Sequence, residues 1–233
     1  MTGYRRPEHQ AVAVLLDRLD AAVLEAGACR FGGGTAIVLA LGEYRVSADV
    51  DFLCASTEGY RFLRQRIFDG GFGSLFRAPV TLPRGHRADQ YGLRALIEID
   101  GRPVKFEIVR EARIDLDPPD ARLCGCPVLS TADQYAEKLL ANADRGADKA
   151  VAWRDAIDLG MLIQHLGPVP DAAVTKAVGA YGPSVLAALS RVHETLDLPD
   201  NRRHARDRLG MTGEDLDRAV DALGTDLRRL TGG

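Results

Sequence analysis

Apolar residues recur at helical spacing through residues 8–26, where Val12, Leu15, Leu16, Leu19 and Val23 share one stripe and Gly27 supplies a stop. The spacing predicts one amphipathic helix there. The pattern then shortens. Cys29-Arg30-Phe31 is a strand-length run, Gly32-Gly33-Gly34 breaks it, and Thr35 to Leu41 continues apolar at helical length until Gly42. This order predicts strand, glycine turn, helix. Alternation with period two from Val46 to Cys54 predicts a second strand, and Thr57 to Phe68 reads as a short helix carrying Arg61, Arg64 and Arg66. Residues 69–92 are rich in glycine and proline and read as a basic loop with short strands. From Leu93 to Val109, Ile97, Ile99, Val104 and Phe106 fall on one face about a turn at Gly101-Arg102, which predicts a hairpin.

Two prolines in Asp115-Leu-Asp-Pro-Pro-Asp cannot continue a helix or a central strand, so a domain boundary is expected within 112–129, giving domains 1–120 and 121–233. Beyond it, Ser130-Thr-Ala-Asp133 resembles a capping box, and residues 131–145, 148–165, 170–180, 183–196 and 212–230 carry helical periodicity.

Composition narrows the picture. With 233 residues, 46% of them hydrophobic, the chain can bury a real core. A formal net charge of −3 supplies no global field toward nucleic acid or anionic lipid, so any such contact must come from local patches. The N-terminal residues lack the apolar stretch of a signal peptide and no later segment has the length of a membrane span; a cytoplasmic protein is expected. Cys29, Cys54, Cys124 and Cys126 are too sparse for a disulfide scaffold and read as reduced structural thiols.

The candidate chemistry lies between Gly32 and Phe52. Glycines between a strand and a helix allow close backbone approach, and a helix N-terminus favours an anion such as a triphosphate. That makes Gly33, Gly34 and Thr35 candidate nucleotide-binding residues, although an ordinary turn would show the same glycines. Asp49 and Asp51, two apart on a predicted strand, project from one face with α-carbons roughly 6.5 Å apart, while Val50 and Phe52 face the core. Adjacent carboxylates repel, so a bound divalent cation explains the pair better than stability does. A solvated edge strand is the alternative. Glu107 is the candidate third acid, with a cross-strand salt bridge as its alternative; Glu98 is expected opposite Lys105.

The segment Gly33-Gly-Thr-Ala…Leu-Gly…Arg45-x-Ser47-x-Asp49-x-Asp51-Phe52 resembles the first motif of the AbiEii/AbiGii nucleotidyltransferase toxins, a branch of the polymerase-beta-like superfamily. Tyr135-Ala-Glu-Lys138-Leu-Leu-Ala-Asn142-x-x-Arg145 and Arg154-Asp155-x-x-Asp158-Leu are similar to that family's second signature, so the likeness spans residues 28–163. Thr35 stands where the wider superfamily usually has Ser, and Glu107 where many relatives use Asp. The resemblance implies an α+β fold: a polymerase-beta-like domain with a mixed sheet, followed by a helical domain that completes the nucleotide site. It implies transfer of a nucleoside monophosphate from an NTP to an acceptor hydroxyl, with Mg2+ or Mn2+ held by Asp49, Asp51 and Glu107.

By the same resemblance Lys138 contacts the triphosphate, Asp155 orients the site, and Asp158 and Arg145 support it. Lys138, Asn142 and Arg145 do share one helical face, and a helix–helix salt bridge is the alternative for the whole set. Arg45 and Ser47 are candidates for phosphate contact. The implied acceptor is RNA, such as the 3′ end of transfer RNA, and the implied protein partner is an antitoxin. Arg61, Arg64, Arg66, Arg77, Arg84 and Arg87, with Arg202, Arg203, Arg206 and Arg208, are the candidate RNA surface. A small-molecule or protein acceptor, or a non-catalytic nucleotide- or metal-binding relative, fits the same motifs.

Overall fold

The computed structural model describes residues 3–232, and the chain divides into two compact units. The first runs to Ala40 and resumes over Ser47–Ser130; the second combines Leu41–Val46 with everything from Thr131 onward. The expected boundary at 120 shifts to 130 for a visible reason. Strand β7 (Cys126–Pro127) pairs with β6 (Arg122–Leu123), and beyond it Leu129 donates its N–H to the Phe31 carbonyl at 2.9 Å, so this segment is tied to the first unit.

In the first unit, the helix expected over 8–26 is two helices, α1 (Pro7–Arg18) and α2 (Ala21–Ala26). Asp20 causes the break, because its carboxylate accepts from the N–H groups of Ala22 and Val23 and so caps α2. The five-stranded sheet has the order β1-β2-β5-β4-β3. β1 (Cys29–Gly32) is antiparallel to β2 (Val50–Cys54), β2 is parallel to β5 (Arg102–Arg110), and β5 is antiparallel to β4 (Gly92–Ile99), which pairs with the short β3 (Arg87–Ala88). The architecture is α+β with a mixed sheet.

The period of two decides what each face does. Phe52, Phe106, Ile108, Leu93 and Ile97 are fully buried on one face, beneath α1 and α4 (Thr57–Gly70), and the rings of Phe31, Phe52 and Phe106 follow one another at 5.4 and 5.9 Å. Asp51, Arg94 and Glu107 are half-buried on the other face. The hairpin turn is Asp100-Gly101, one residue earlier than expected; both have positive φ (50° and 74°), the backbone twist that two-residue hairpins require. Glu98 therefore faces Pro103, and Lys105 faces Leu96.

Strand β2 starts at Val50, not at Val46. After helix α3 (Gly33–Ala40) the chain gives Leu41–Val46 to the second unit before β2 begins. That unit contains α5 (Thr131–Arg145), α6 (Arg154–Leu166), α7 (Asp171–Tyr181), α8 (Ser184–Leu196), α9 (Pro199–Leu209) and α10 (Gly213–Thr231). The helix expected over 148–165 begins later, because Ala152 and Trp153 are left-handed (φ 53° and 54°) and interrupt it. Helix α9 was not expected. Its sequence is almost wholly polar, and Ala205 and Leu209 are the residues it buries. Among the described residues no single helix is long and apolar enough to cross a membrane.

The second unit is organised around a buried charge network. Asp158 accepts from Tyr44 Oη (2.6 Å), from Arg45 Nε and Nη2 (both 2.7 Å), and lies 2.6 Å from Lys138 Nζ. Lys138 also donates to Asp155 at 2.9 Å, and Asp155 accepts from Arg145 at 2.7 and 2.9 Å. The extended segment and the helices α5 and α6 are thus joined by three cations and two carboxylates. Burial pushes both carboxyls up, but the cations overcome it: Lys138 and Arg145 hold Asp155, and Arg45 and Lys138 hold Asp158, below the usual carboxylate range.

Removing one member of a buried pair leaves charge uncompensated, so Asp158→Asn is expected to cost roughly 3–5 kcal/mol, measured by urea unfolding at pH 7. Both carboxyls titrate lower when folded than the roughly 3.9 of an unfolded Asp. Their stabilisation is therefore fully present above that value and is lost as pH falls below it toward the lower folded values. Unfolding midpoints should hold near neutrality and this contribution should fall away below about pH 4, with a shallower acid slope in Asp158→Asn. Gly160 tests helix packing: a Cβ there would stand 2.1 Å from the Ala219 carbonyl of α10. Gly160→Ala should lose about 2 kcal/mol or more, whereas Gly179→Ala, in open space on α7, should be neutral or slightly stabilising in the same assay.

Candidate active site

Strand β1 ends at Gly32, and Gly33 opens α3 with φ +69°, a conformation that favours glycine. The glycine also makes room. A Cβ on Gly33 would lie 3.1 Å from Asp51 Oδ2, so the Asp51 carboxylate sits against the first residue of the helix. Asp49, exposed, immediately precedes β2, and Val50 between the two acids is fully buried. The Asp51 carboxylate and the helix start, which the sequence holds in one motif, are therefore brought together in space by the first unit, while Asp49 lies exposed just ahead of the strand.

Thr35 is buried and its Oγ1 lies 2.8 Å from Ser47 Oγ. Whichever hydroxyl donates, the other keeps its hydrogen for a further acceptor. Ser47 is itself positioned by its backbone N–H, which donates to Nε2 of the fully buried His9 at 3.3 Å. His9 was missed in the sequence reading. It lies 38 residues before Ser47 and belongs to no motif, so only a structure connects it to the site.

Register places Asp51 beside Glu107 on β5, Glu107 opposite Arg94 on β4, and Arg94 opposite Arg87 on β3. One row across the sheet thus carries two acids followed by two arginines. Both oxygens of Glu107 are engaged: Oε1 lies 3.2 Å from Arg94 Nε, and Oε2 lies 3.2 Å from Lys105 Nζ. Glu107 is next to Asp51, as expected of a third acid, but it is neutralised by two cations, which is the salt-bridge alternative. Among the described residues no three His, Cys, Asp or Glu side chains are grouped to hold a metal ion.

The remaining expected site residues lie in the second unit and serve its network. Arg45, expected to hold phosphate, is buried; its Nε and Nη2 grip Asp158 and its Nη1 donates to the Val46 carbonyl, which leaves no open edge for an anion. Lys138, expected on the triphosphate, is buried between Asp155 and Asp158, and Asp155 is shared with Arg145. The helix–helix ion pair is what these residues form. Tyr44 was missed as well: burial pushes its hydroxyl up, so it stays protonated and donates to Asp158. Nothing in the local sequence distinguishes it from a strand tyrosine.

A comparison with solved structures finds the fold elsewhere. JHP933 from Helicobacter pylori is 15% identical over 96% of this chain and 94% of its own, with a TM-score of 0.53. A second H. pylori protein, described as a candidate nucleotidyltransferase, aligns over 95% and 96% of the two chains at 15% identity and a TM-score of 0.39. Comparison with curated proteins finds no match. The family described as nucleotidyl transferase AbiEii toxin, type IV toxin–antitoxin system, matches residues 14–225, which include the glycine turn, both aspartates, Glu107 and the charge network. The chain belongs to the AbiEii family of nucleotidyltransferase toxins.

Proposed function

We propose that the nucleotidyl transfer performed by this chain is Mg2+-dependent, uses an NTP as donor and an RNA 3′ hydroxyl as acceptor, and runs at the rim formed by Asp49, Asp51 and the start of α3. The observation that carries this reading is the contact of the Asp51 carboxylate with Gly33 at the head of that helix. Its N-terminal N–H groups attract phosphate, while Asp51 beside them would repel it. A cation between the two resolves that conflict.

The donor set suits a hard ion: carboxylate oxygens, with substrate phosphates for the rest of the shell. Asp49 and Asp51 would hold Mg2+ or Mn2+, which when bound neutralises phosphate charge and activates the attacking oxygen. Gly33, Gly34 and Thr35 offer backbone N–H groups to the phosphates, and the Thr35–Ser47 pair offers its spare hydroxyl hydrogen. In the transfer, the acceptor hydroxyl gives up its proton to water, a bond forms from its oxygen to the α-phosphorus, and the bond from that phosphorus to the oxygen bridging to the β-phosphorus breaks, releasing pyrophosphate. Glu107 pairs with Arg94 in the same row as Asp51 and with Lys105 two residues back on its own strand, and so brings positive charge beside the acidic rim. Growth arrest by such transfer, relieved by an antitoxin, accords with the family's type IV toxin–antitoxin description.

Incubation with α-labelled NTPs, Mg2+ and total cellular RNA should place label at RNA 3′ ends; label confined to protein or small molecules would overturn the acceptor assignment. Chelation by EDTA should abolish transfer and added Mg2+ should restore it. Asp49→Asn and Asp51→Asn should each reduce the rate by about a thousandfold, roughly 4 kcal/mol of barrier, with an unchanged melting temperature. Glu107→Gln should cost less than about tenfold, the scale of its two partly exposed ion pairs and not of a metal ligand. A loss as deep as that of Asp51→Asn would return Glu107 to the metal-holding set.

A further inference from the structure

Helix α4 already spends its apolar stripe on the core, since Tyr60, Leu63 and Ile67 are buried. Two aromatic rings nonetheless protrude on its outer side. Phe68 is 86% exposed and Phe62 is 40% exposed. They border an open cavity of about 930 Å³ lined also by Arg61, Arg64, His86 and Ala88. A single exposed apolar side chain is ordinary, but two rings bordering one concavity form a patch of the kind that marks a binding surface.

The arginines of this unit differ in what holds them. Arg66 donates to the Ser74 carbonyl, Arg77 pairs with Asp17, and Arg87 pairs with Asp89. Arg61 and Arg64, the two that line the cavity, make no ion pair among the described residues. On a chain whose net charge is −3, a concave site with two uncompensated guanidiniums and two bare rings is a local anomaly. Guanidiniums suit phosphates, and rings suit the faces of unstacked bases. An anionic bilayer would also take arginine and phenylalanine, but it requires a continuous apolar helix face, and that of α4 is turned into the core.

The geometry points to single-stranded nucleic acid as the occupant of this groove, with Phe62 and Phe68 as stacking platforms and Arg61 and Arg64 on the backbone. The inference builds on the RNA-acceptor reading and assigns it a docking surface. β3, whose Ala88 lines the groove, stands three strands from β2. At roughly 4.8 Å per strand, the groove's edge lies about 14 Å along the sheet from the row position of Asp51, and α4 covers the apolar face opposite the one that carries Asp51, so a strand gripped there must pass the sheet edge to present its end at the rim.

Fluorescence anisotropy of a labelled 12-nucleotide single-stranded RNA, without NTP, tests this. Phe62→Ala/Phe68→Ala should weaken binding at least tenfold, within the range of about 1–3 kcal/mol per stacked base, while the dependence of log K on log salt stays the same. Arg61→Gln/Arg64→Gln should reduce that salt slope by about 1.4, two phosphates at roughly 0.7 each. Should the double aromatic variant lose its fold, Phe68→Ala alone, at the more exposed ring, gives the same reading. Unchanged affinity in the aromatic variants, or phosphatidylserine vesicles that bind the groove and displace the RNA, would overturn the proposal. Because binding is read without chemistry, RNA labelling that persists while these variants bind normally removes the groove alone. RNA binding that depends on the rings, in a protein that labels no RNA, removes the acceptor reading alone.

Discussion

Asp158 is a fully buried carboxylate, and a charge in that position is tolerable only if every lone pair is answered. It is answered by Tyr44 and Arg45 from an extended segment and by Lys138 from α5, while α6 supplies the aspartate itself. The bidentate Arg45 grip fixes direction as well as charge, because the guanidinium fork accepts a carboxylate in one plane. A chain that leaves α3 thus has a defined destination for residues 41–46 before it returns at Ser47. The short interval between Ser47 and Val50 then carries the rim: a hydroxyl paired with Thr35, an exposed Asp49, and entry into β2 with Asp51 inward of it. What reads as one continuous strand is a structural anchor followed by a site.

This arrangement explains which parts of the molecule were legible. Elements governed by local periodicity came through, among them α5, α7, α8, α10 and the β4–β5 hairpin, because burial of one face repeats at 3.6 or 2 residues whatever the neighbours are. Asp51 beside the glycine turn was legible for a related reason: a strand ending in glycine and a strand carrying the acid lie close in sequence, and β1 pairs directly with β2 so that Gly32 faces Asp51. Errors arose where a single side chain took a partner far along the chain. Arg45 looked like a phosphate ligand because it neighbours Ser47 in sequence, but its partner is 113 residues away. Asp20 split a helix whose apolar stripe was unbroken, since capping competes with periodicity and the stripe does not record it. Helix α9 has too few apolar positions to declare itself, and its arginines pair largely with nearby aspartates, as Arg202 does with Asp217 and Arg203 with Asp200.

The family motif therefore mixes two physical jobs. Its first stretch contains Gly33 and Asp51, which adjoin each other in the first unit, and Asp49, exposed just ahead of β2. It also contains Arg45, which serves the second unit's interior, and the later signature of Lys138, Asp155 and Asp158 serves the same interior. A motif matched as a string gives no indication of this split. Burial does: Arg45, Lys138, Asp155 and Asp158 are all nearly inaccessible, whereas Asp49 is exposed and Asp51 is half-buried. Groups that must meet a charged substrate need a path to solvent, and groups that hold helices together do not.

Electrostatics along the sheet row complete the argument. Asp51 and Glu107 are neighbours on parallel strands, a repulsive pairing if left alone. Arg94 and Lys105 relieve it at Glu107, each at 3.2 Å, Arg94 from β4 on the side away from β1 and Lys105 from the same strand. Glu107 is matched by two cations within the sheet, and on the other side of Asp51 the neighbours toward β1 are Gly32 and Gly33. Had Gly33 been any larger residue, its Cβ would press on that carboxylate, so the same substitution that filled the space would also displace the acid. The glycine keeps the acidic end of the row next to the helix start, where partial positive charge from α3 and the negative charge of Asp51 come together, and it is there that the proposed cation and phosphate would meet.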